Sequence, residues 1–437
     1  MSSVSSPILT EFSGRSGQIL ERLNRLYPAL IDLSLNRLKR LLTDLGNPER
    51  NLPPIIHVAG TNGKGSTCAF LRAIGEAAGW KIHVSTSPHL VDVTERFRIA
   101  GQLVSEAELS ETLIDIERIN NNQPITVFEV LTAAAFVLFA KYPADLAIIE
   151  VGLGGRFDAT NVITPLVSVI TSISMDHEAF LGNSIDKIAM EKAGIIKANV
   201  PVVCDQQDPQ ALHVLRDIAQ SLSAPCRIKG QEWDITPSYN QLTYTDEQGS
   251  LKLPMPSLLG AHQCRNAGLA TAALRTSKLA IPDRAWQGIA NAQWPARLQQ
   301  LHGQLTQYIP INSELWLDGG HNPDAGKILA DMIKTQWQDR PLHIIVGMKD
   351  SKNVQDYLSP LLPLCTSIQA VVEPDQHLAM PIPEIIKASQ YTATAGGTVK
   401  QALSIIKSQT DNPVRILICG SLYLAGSVLR QDGWNSL

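Results

Sequence analysis

The sequence predicts an α/β protein: a P-loop parallel-sheet N-terminal domain with a small accessory antiparallel sheet, then a smaller Rossmann-like α/β C-terminal domain. Three observations carry this. A short apolar strand, a Gly or Ser turn and a helical stretch recur along the chain, the pattern of βαβ units and of parallel sheets covered on both faces. A Gly-rich loop at 60–66 follows the first such strand and opens a helix. The 437 residues, 44% hydrophobic and 18% charged, supply core for two or three domains.

Taken in order, Ile55-Ile56-His57-Val58 is the first strand, and a helix is expected from near Ser66. Residues 81–84 lead into Ser85-Thr86-Ser87, 146–150 into Gly152-Leu153-Gly154-Gly155, and 167–171 into 172–177. The alternation stops between about 226 and 256. There 233–235, 241–245 and 251–253 read as short antiparallel strands, with Asp246-Glu247-Gln248-Gly249 as a hairpin turn. One helical stretch is expected from about 266 to 290. Trp294-Pro295-Ala296-Arg297 follows, where Pro disfavours helix at the residue before it. Strands at 315–318, 342–346, 368–372 and 415–419 then begin a second α/β series, so the expected division is 1–297 and 298–437.

A net charge of −4 gives no basic field for nucleic acid or an acidic membrane surface. The first eighteen residues lack the apolar core of a secretory signal, and no apolar run approaches the roughly 20 residues that cross a bilayer. The six cysteines form no CxxC pair, which matches neither a zinc cluster nor a disulfide framework. A cytoplasmic, monomeric protein with reduced thiols is the expectation.

The chemistry begins at Gly60-Thr61-Asn62-Gly63-Lys64-Gly65-Ser66. Glycines let backbone N–H groups turn inward around phosphate oxygens, the helix start adds its positive end, and Lys64 supplies a mobile charge. Glu150 ends an apolar strand where a magnesium-binding carboxylate would lie, since ligands collect at the carboxyl ends of such strands. Ser87 and His177 also follow strands, so all three fit one sheet edge. Gly152-Leu153-Gly154-Gly155 fails as a dinucleotide fingerprint, because Phe157 stands where the third Gly belongs.

The P-loop resembles the signature of folylpolyglutamate synthases and bifunctional dihydrofolate synthases, members of the Mur ligase superfamily. The resemblance runs through Asp32-Leu33-Ser34-Leu35 with Arg37, Ser85 to Leu90, Thr94-Glu95-Arg96, Phe128-Glu129, Glu150 to Asn161, Asp176-His177 and Glu191 to Ile195. It continues in Gln263 to Asn266, Trp294 to Arg297 and Asp318-Gly319-Gly320-His321-Asn322-Pro323. It implies a Mur-ligase-type ATP-binding domain, a C-terminal glutamate-ligase domain, and ATP-dependent joining of L-glutamate to dihydropteroate and to reduced folates through an acyl phosphate.

The resemblance also implies roles. Thr61 to Ser66, Asn266, Arg297 and Asp318 would bind ATP. Ser87 and Glu150 would hold one Mg²⁺, and Glu150 with His177 a second. Lys192 would be carbamoylated by CO₂ and support that second metal. Asp32, Leu33, Ser34, Thr126, Phe157, Asp158 and Ala159 would border the pterin pocket, and His321 and Ser421 the glutamate site. Lys64, Glu150, His177 and Lys192 form the expected catalytic group. Two departures stand out: Gly319-Gly320 where Gly-Ala or Val-Ala is usual, and Ala296 where the family has Gly, a change at the hinge. The rival readings are a mono-functional folylpolyglutamate synthase, a peptidoglycan-precursor ligase, for which about fifty residues before the P-loop strand are too few, and a nucleotide switch, for which the Asn-Lys-x-Asp motif is missing.

Overall fold

The computed structural model describes residues 14–27, 34–374, 376 and 378–434. Its first sheet has eight strands: β1 (Ile55–Ala59), β2 (Ile82–Ser85), β3 (Phe97–Ile99), β4 (Gln102–Leu103), β5 (Leu146–Glu150), β6 (Val167–Ile170), β7 (Val202–Cys204) and β8 (Cys226–Ile228). Their order is β4-β3-β2-β5-β1-β6-β7-β8. The six strands from β2 to β8 are parallel, and β3 and β4 form an antiparallel edge. All five residues of β1 and of β5 are buried, as strands covered on both faces must be. Ile56 lies between Ile148 and Val167, and its complete burial contributes roughly 1.5–3 kcal/mol.

Register places the chemistry. Val58 pairs with Glu150 and Ala59 with Ile170, so the P-loop, Glu150 and the segment after β6 leave the sheet at one edge. Ser85 pairs with Ile149, which brings Ser87 to that edge as well.

The helix Lys64–Ala77 packs one face of the sheet together with helix Ala261–Thr276, while Val127–Lys141 covers the other face. Two expectations are corrected here. The P-loop helix starts at Lys64, with Gly63 as its left-handed N-cap (φ 90°), two residues before Ser66. The single helix expected over 266–290 is two elements, Ala261–Thr276 and the 3₁₀ segment Asp283–Asn291. Lys278 adopts φ +60° and Pro282 caps the second element, which breaks the helix between them.

The accessory sheet is present as β9 (Trp233–Pro237), β10 (Gln241–Asp246) and β11 (Gly249–Pro254), all antiparallel. Asp246 accepts two bonds from Arg275 (2.6 and 2.7 Å), which fastens this sheet to the helix beneath it. The third sheet comprises β12 (Gln299–Leu301), β13 (Glu314–Leu317), β14 (Leu342–Val346), β15 (Ser367–Val371), β16 (Thr394–Gly397) and β17 (Arg415–Cys419). It runs β12-β13-β17-β14-β15-β16, parallel except for β12. No helix among the described residues is long and apolar enough to cross a membrane.

Candidate active site

The P-loop is held by the segment that follows β6. The amides of Thr61 and Asn62 donate to Ser172 O (2.8 and 3.3 Å), and Thr61 Oγ1 donates to Ser174 O (3.1 Å). Two of the loop's glycines are explained by neighbours rather than by phosphate. A Cβ at Gly63 would lie 2.6 Å from Asn266 Oδ1, and one at Gly65 would lie 2.6 Å from the Trp294 ring. Lys64 Nζ folds back onto the carbonyls of Gly60 and Thr61 (3.2 and 3.3 Å).

Lys192 reaches the same point from the helix Ile185–Ala193, donating to Gly60 O at 2.9 Å. Its side chain is buried, and burial, with the Lys64 charge nearby, pushes its amine down to about 7. Glu150 is buried at the end of β5, where burial pushes its carboxyl up and the Lys64 charge opposes that shift. Its Oε2 accepts one hydrogen bond, from the Ser87 amide (3.2 Å). A buried carboxyl with so little hydrogen bonding, in a cleft that Ser87 also lines, suits a hard cation that keeps most of its waters. Among the described residues no three His, Cys, Asp or Glu side chains are grouped to hold a metal, so any ion here depends on few protein ligands.

His177 caps a short helix in the left-handed region (φ 53°) and lines the same cleft as Ser87, Glu150 and Lys192. Partial burial pushes its ring pKa down. Its neighbour Asp176 binds across to the C-terminal sheet. Asp176 Oδ1 accepts from Lys352 Nζ at 2.5 Å, and His321 Nε2 stands 3.7 Å from Oδ2. Burial alone would raise the Asp176 carboxyl, but His177, His321 and Lys352 together hold it well below the usual carboxylate range. Asn62 and Asn322 exchange amide bonds of 3.2 and 2.8 Å across the same gap, and Asn322 Oδ1 also caps the helix Pro323–Gln336.

Arg297 lies between Ala296 (φ 55°) and Leu298 (φ 44°), two non-glycine residues in the left-handed region. Ala296 therefore adopts the backbone for which Gly is suited. Asp318 ties this bend to β13: Oδ2 accepts from Leu298 N (3.0 Å) and Oδ1 from Gly320 N (2.7 Å). Asn266, Arg297, Asp318 and His321 all line the cleft with the P-loop.

A second and larger pocket, about 480 Å³, opens beside it. Ser34, Thr126, Phe157, Asp158 and Ala159 line it, as do His321 and Ser421. Asp32 and Leu33 lie outside the described residues. Thr126 and Glu129 form a capping box at the start of Val127–Lys141. Asp158 is buried, and its carboxylate accepts the amides of Leu153 (2.8 Å) and Thr160 (3.0 Å), which holds the turn after β5. Burial pushes that carboxyl up. Phe157 and Phe180 are half exposed in the pocket wall. The pocket shares Ser87, Gly152, Leu153, His177, His321 and Leu422 with the P-loop cleft, so the two form one continuous space.

Sequence reasoning missed Lys352 and assigned no role to Asn322, Asp176, Glu129 or Phe180. Lys352 does follow a strand end, β14, but its partner lies 176 residues away. Glu129 carries an ion pair to Arg37 at 3.0 Å.

The family model of the Mur ligase middle domain matches residues 58–274, and that of the dihydrofolate synthetase C-terminal domain matches 302–431. The chain is 34% identical over 418 residues to the dihydrofolate synthase/folylpolyglutamate synthase of Bacillus subtilis, covering 91% of this chain and 94% of that protein. Its structure is similar to that of E. coli FolC in complex with DHPP and ADP, with a TM-score of 0.87 and 31% identity, covering 96% and 97% of the two chains. It is also similar to a bifunctional folylpolyglutamate synthase/dihydrofolate synthase with Mn, AMPPNP and L-glutamate bound, with a TM-score of 0.83 and 30% identity, covering 98% and 99%.

Proposed function

Because the chain belongs to the dihydrofolate synthase/folylpolyglutamate synthase family of ATP-dependent ligases, we propose that it is bifunctional, joining L-glutamate first to dihydropteroate and then to reduced folates. The observation that carries this is the continuous space between a phosphate cradle and a 480 Å³ pocket with aromatic walls. A long acid can lie in the pocket with its carboxylate at the P-loop.

The chemistry follows from what joining an acid to an amine requires. Hydroxide is a poor leaving group, so the substrate carboxylate attacks the γ-phosphorus of ATP, giving an acyl phosphate and ADP. The glutamate amine then attacks the acyl carbon, and inorganic phosphate leaves. Lys64 would swing from its own loop carbonyls to the phosphates, with the amides of Gly63 to Ser66 around them and Thr61, Asn62, Asn266, Arg297 and Asp318 lining the rest of the nucleotide's cleft. Two magnesium ions, held through Ser87, Glu150 and His177, would neutralise charge developing on the phosphate oxygens.

Ser34, Thr126, Phe157, Asp158 and Ala159 would border the pterin, and His321 and Ser421 would receive the incoming glutamate. A Lys192 amine with its pKa near 7 suits addition to CO₂: the ammonium first loses one proton, the neutral amine then forms the N–C bond and loses a second, and a buried cation becomes an anion in the cleft that His177 also lines. We take 1–297 and 298–437 as the two domains of a cytoplasmic monomer, with closure excluding water that would hydrolyse the acyl phosphate.

The test is glutamate-dependent ADP release on a panel containing dihydropteroate and a reduced folate. Turnover on both is expected. Turnover on the reduced folate alone would replace the bifunctional reading with the mono-functional one. Lys64→Ala and Glu150→Gln should each lower turnover by about 10²-fold or more while folding is kept; unchanged rates would refute this site.

A further inference from the structure

Phe180 is 48% exposed and lines the large pocket beside Ser87, Gly152, Leu153 and His177. Apolar surface left in water gains free energy when a ligand covers it, and concave sites use aromatic rings in this way. The position of this ring is set by its neighbours on the short helix Glu178–Leu181. The Phe180 amide donates to His177 O (2.9 Å), which keeps the two residues one helical turn apart, roughly 5 Å. Leu181, the next residue, is buried against the turn after β5, where a Cβ at Gly154 would lie 2.9 Å from its Cδ2. Leu181 lines the P-loop cleft, Phe180 lines the large pocket, and His177 lines both. Phe180 therefore stands where the two spaces join.

The two acids of the ligase reading differ at this junction. In dihydropteroate the reacting carboxylate is bonded directly to the benzoyl ring. In a reduced folate a glutamyl unit stands between them and adds roughly 6 Å when extended. Both carboxylates must reach the same phosphate cradle. The benzoyl ring of dihydropteroate then lies nearer the P-loop, level with the helix that starts after His177, and the folate has its glutamyl spacer in that place. Aromatic pairs in offset or edge-on contact gain beyond their buried area, and the spacer has no ring to offer.

We propose that Phe180 is a specificity-determining residue: its ring packs on the benzoyl ring of dihydropteroate and meets only the glutamyl spacer of a reduced folate. It thereby favours the first glutamate addition over later ones. The proposal rests on the ligase reading above and names what separates its two substrates.

The experiment measures kcat/KM for glutamate-dependent ADP release on dihydropteroate and on a reduced folate, in wild type and in Phe180→Ala, Phe180→Leu and Phe180→Tyr. Dihydropteroate is also titrated calorimetrically into each protein saturated with Mg-AMPPNP. In Phe180→Ala the ratio of kcat/KM on dihydropteroate to that on the folate should fall tenfold or more, with a matching loss of dihydropteroate affinity. Phe180→Tyr should keep most of the ratio, and Phe180→Leu, which restores bulk without a ring, should not. Equal losses on both acids, as from a ring that only seats the C-terminal domain, overturn the proposal, and so does an unchanged ratio. Wild type that binds dihydropteroate without turning it over defeats the bifunctional reading alone, and the titrations then decide the role of Phe180. Wild type that does not bind dihydropteroate defeats both.

Discussion

The Gly60 carbonyl receives two ammonium groups, from Lys64 and Lys192, and only one of them is exposed enough to leave. Lys192 pays for its position with a pKa of about 7, against roughly 10.4 in an unfolded chain. Between those values the unfolded chain holds the proton and the folded one does not, so stability rises with pH. The destabilisation is complete below about pH 7 and fades as pH approaches 10; it is at most about 5 kcal/mol. In CO₂-free buffer Lys192→Met should therefore melt higher than wild type at pH 7, with the gap closing towards pH 10. Parallel melting curves across that range would contradict a buried, depressed amine. In ¹³C-bicarbonate the wild type should instead show a carbamate carbon resonance that the variant lacks.

At the scale of elements, the P-loop helix is positioned by what stands against its first turn. The Trp294 ring occupies the space where a Gly65 side chain would go. Gly65→Ala should cost about 1–3 kcal/mol in denaturant unfolding, as overpacking does, and Trp294→Phe in the same chain should recover part of that. An additive loss would show that the ring has room to move. The strands that carry the site were legible in the sequence because β1, β5 and β17 are long apolar runs ending in Gly, Glu or Ser. The outer strands β4, β3, β7 and β8, of two or three residues, gave no such pattern, since pairing with a neighbour and not their own composition makes them strands. Lys278 and Pro282 did mark the helix break, but the apolar residues on both sides concealed it. Side chains gathered by one sheet edge were readable from strand ends. Lys352 and Asn322 were not, because their partners lie 176 and 260 residues away.

For the whole molecule, the two large sheets meet through a small polar bridge: Asn62 with Asn322, and Asp176 with Lys352 and His321. The Asp176 carboxyl is held below its unfolded value, so its contribution is present above the ordinary carboxylate range and is lost as pH falls through the lower folded value. Near neutral pH the bridge is intact. Asp176→Asn should weaken it and leave the two halves further apart, read as a larger radius of gyration in solution scattering without ligands. A radius equal to that of the wild type would mean that other contacts set their spacing.

Trp294 has one more consequence. Its indole lies between the P-loop helix and the bend at Ala296–Leu298, so any rotation about that bend changes what surrounds the ring. The protein thus carries its own optical probe. The difference in emission between wild type and Trp294→Phe isolates this one indole from the other six tryptophans, and its colour and intensity follow the opening and closing of the cleft in real time, without an added dye.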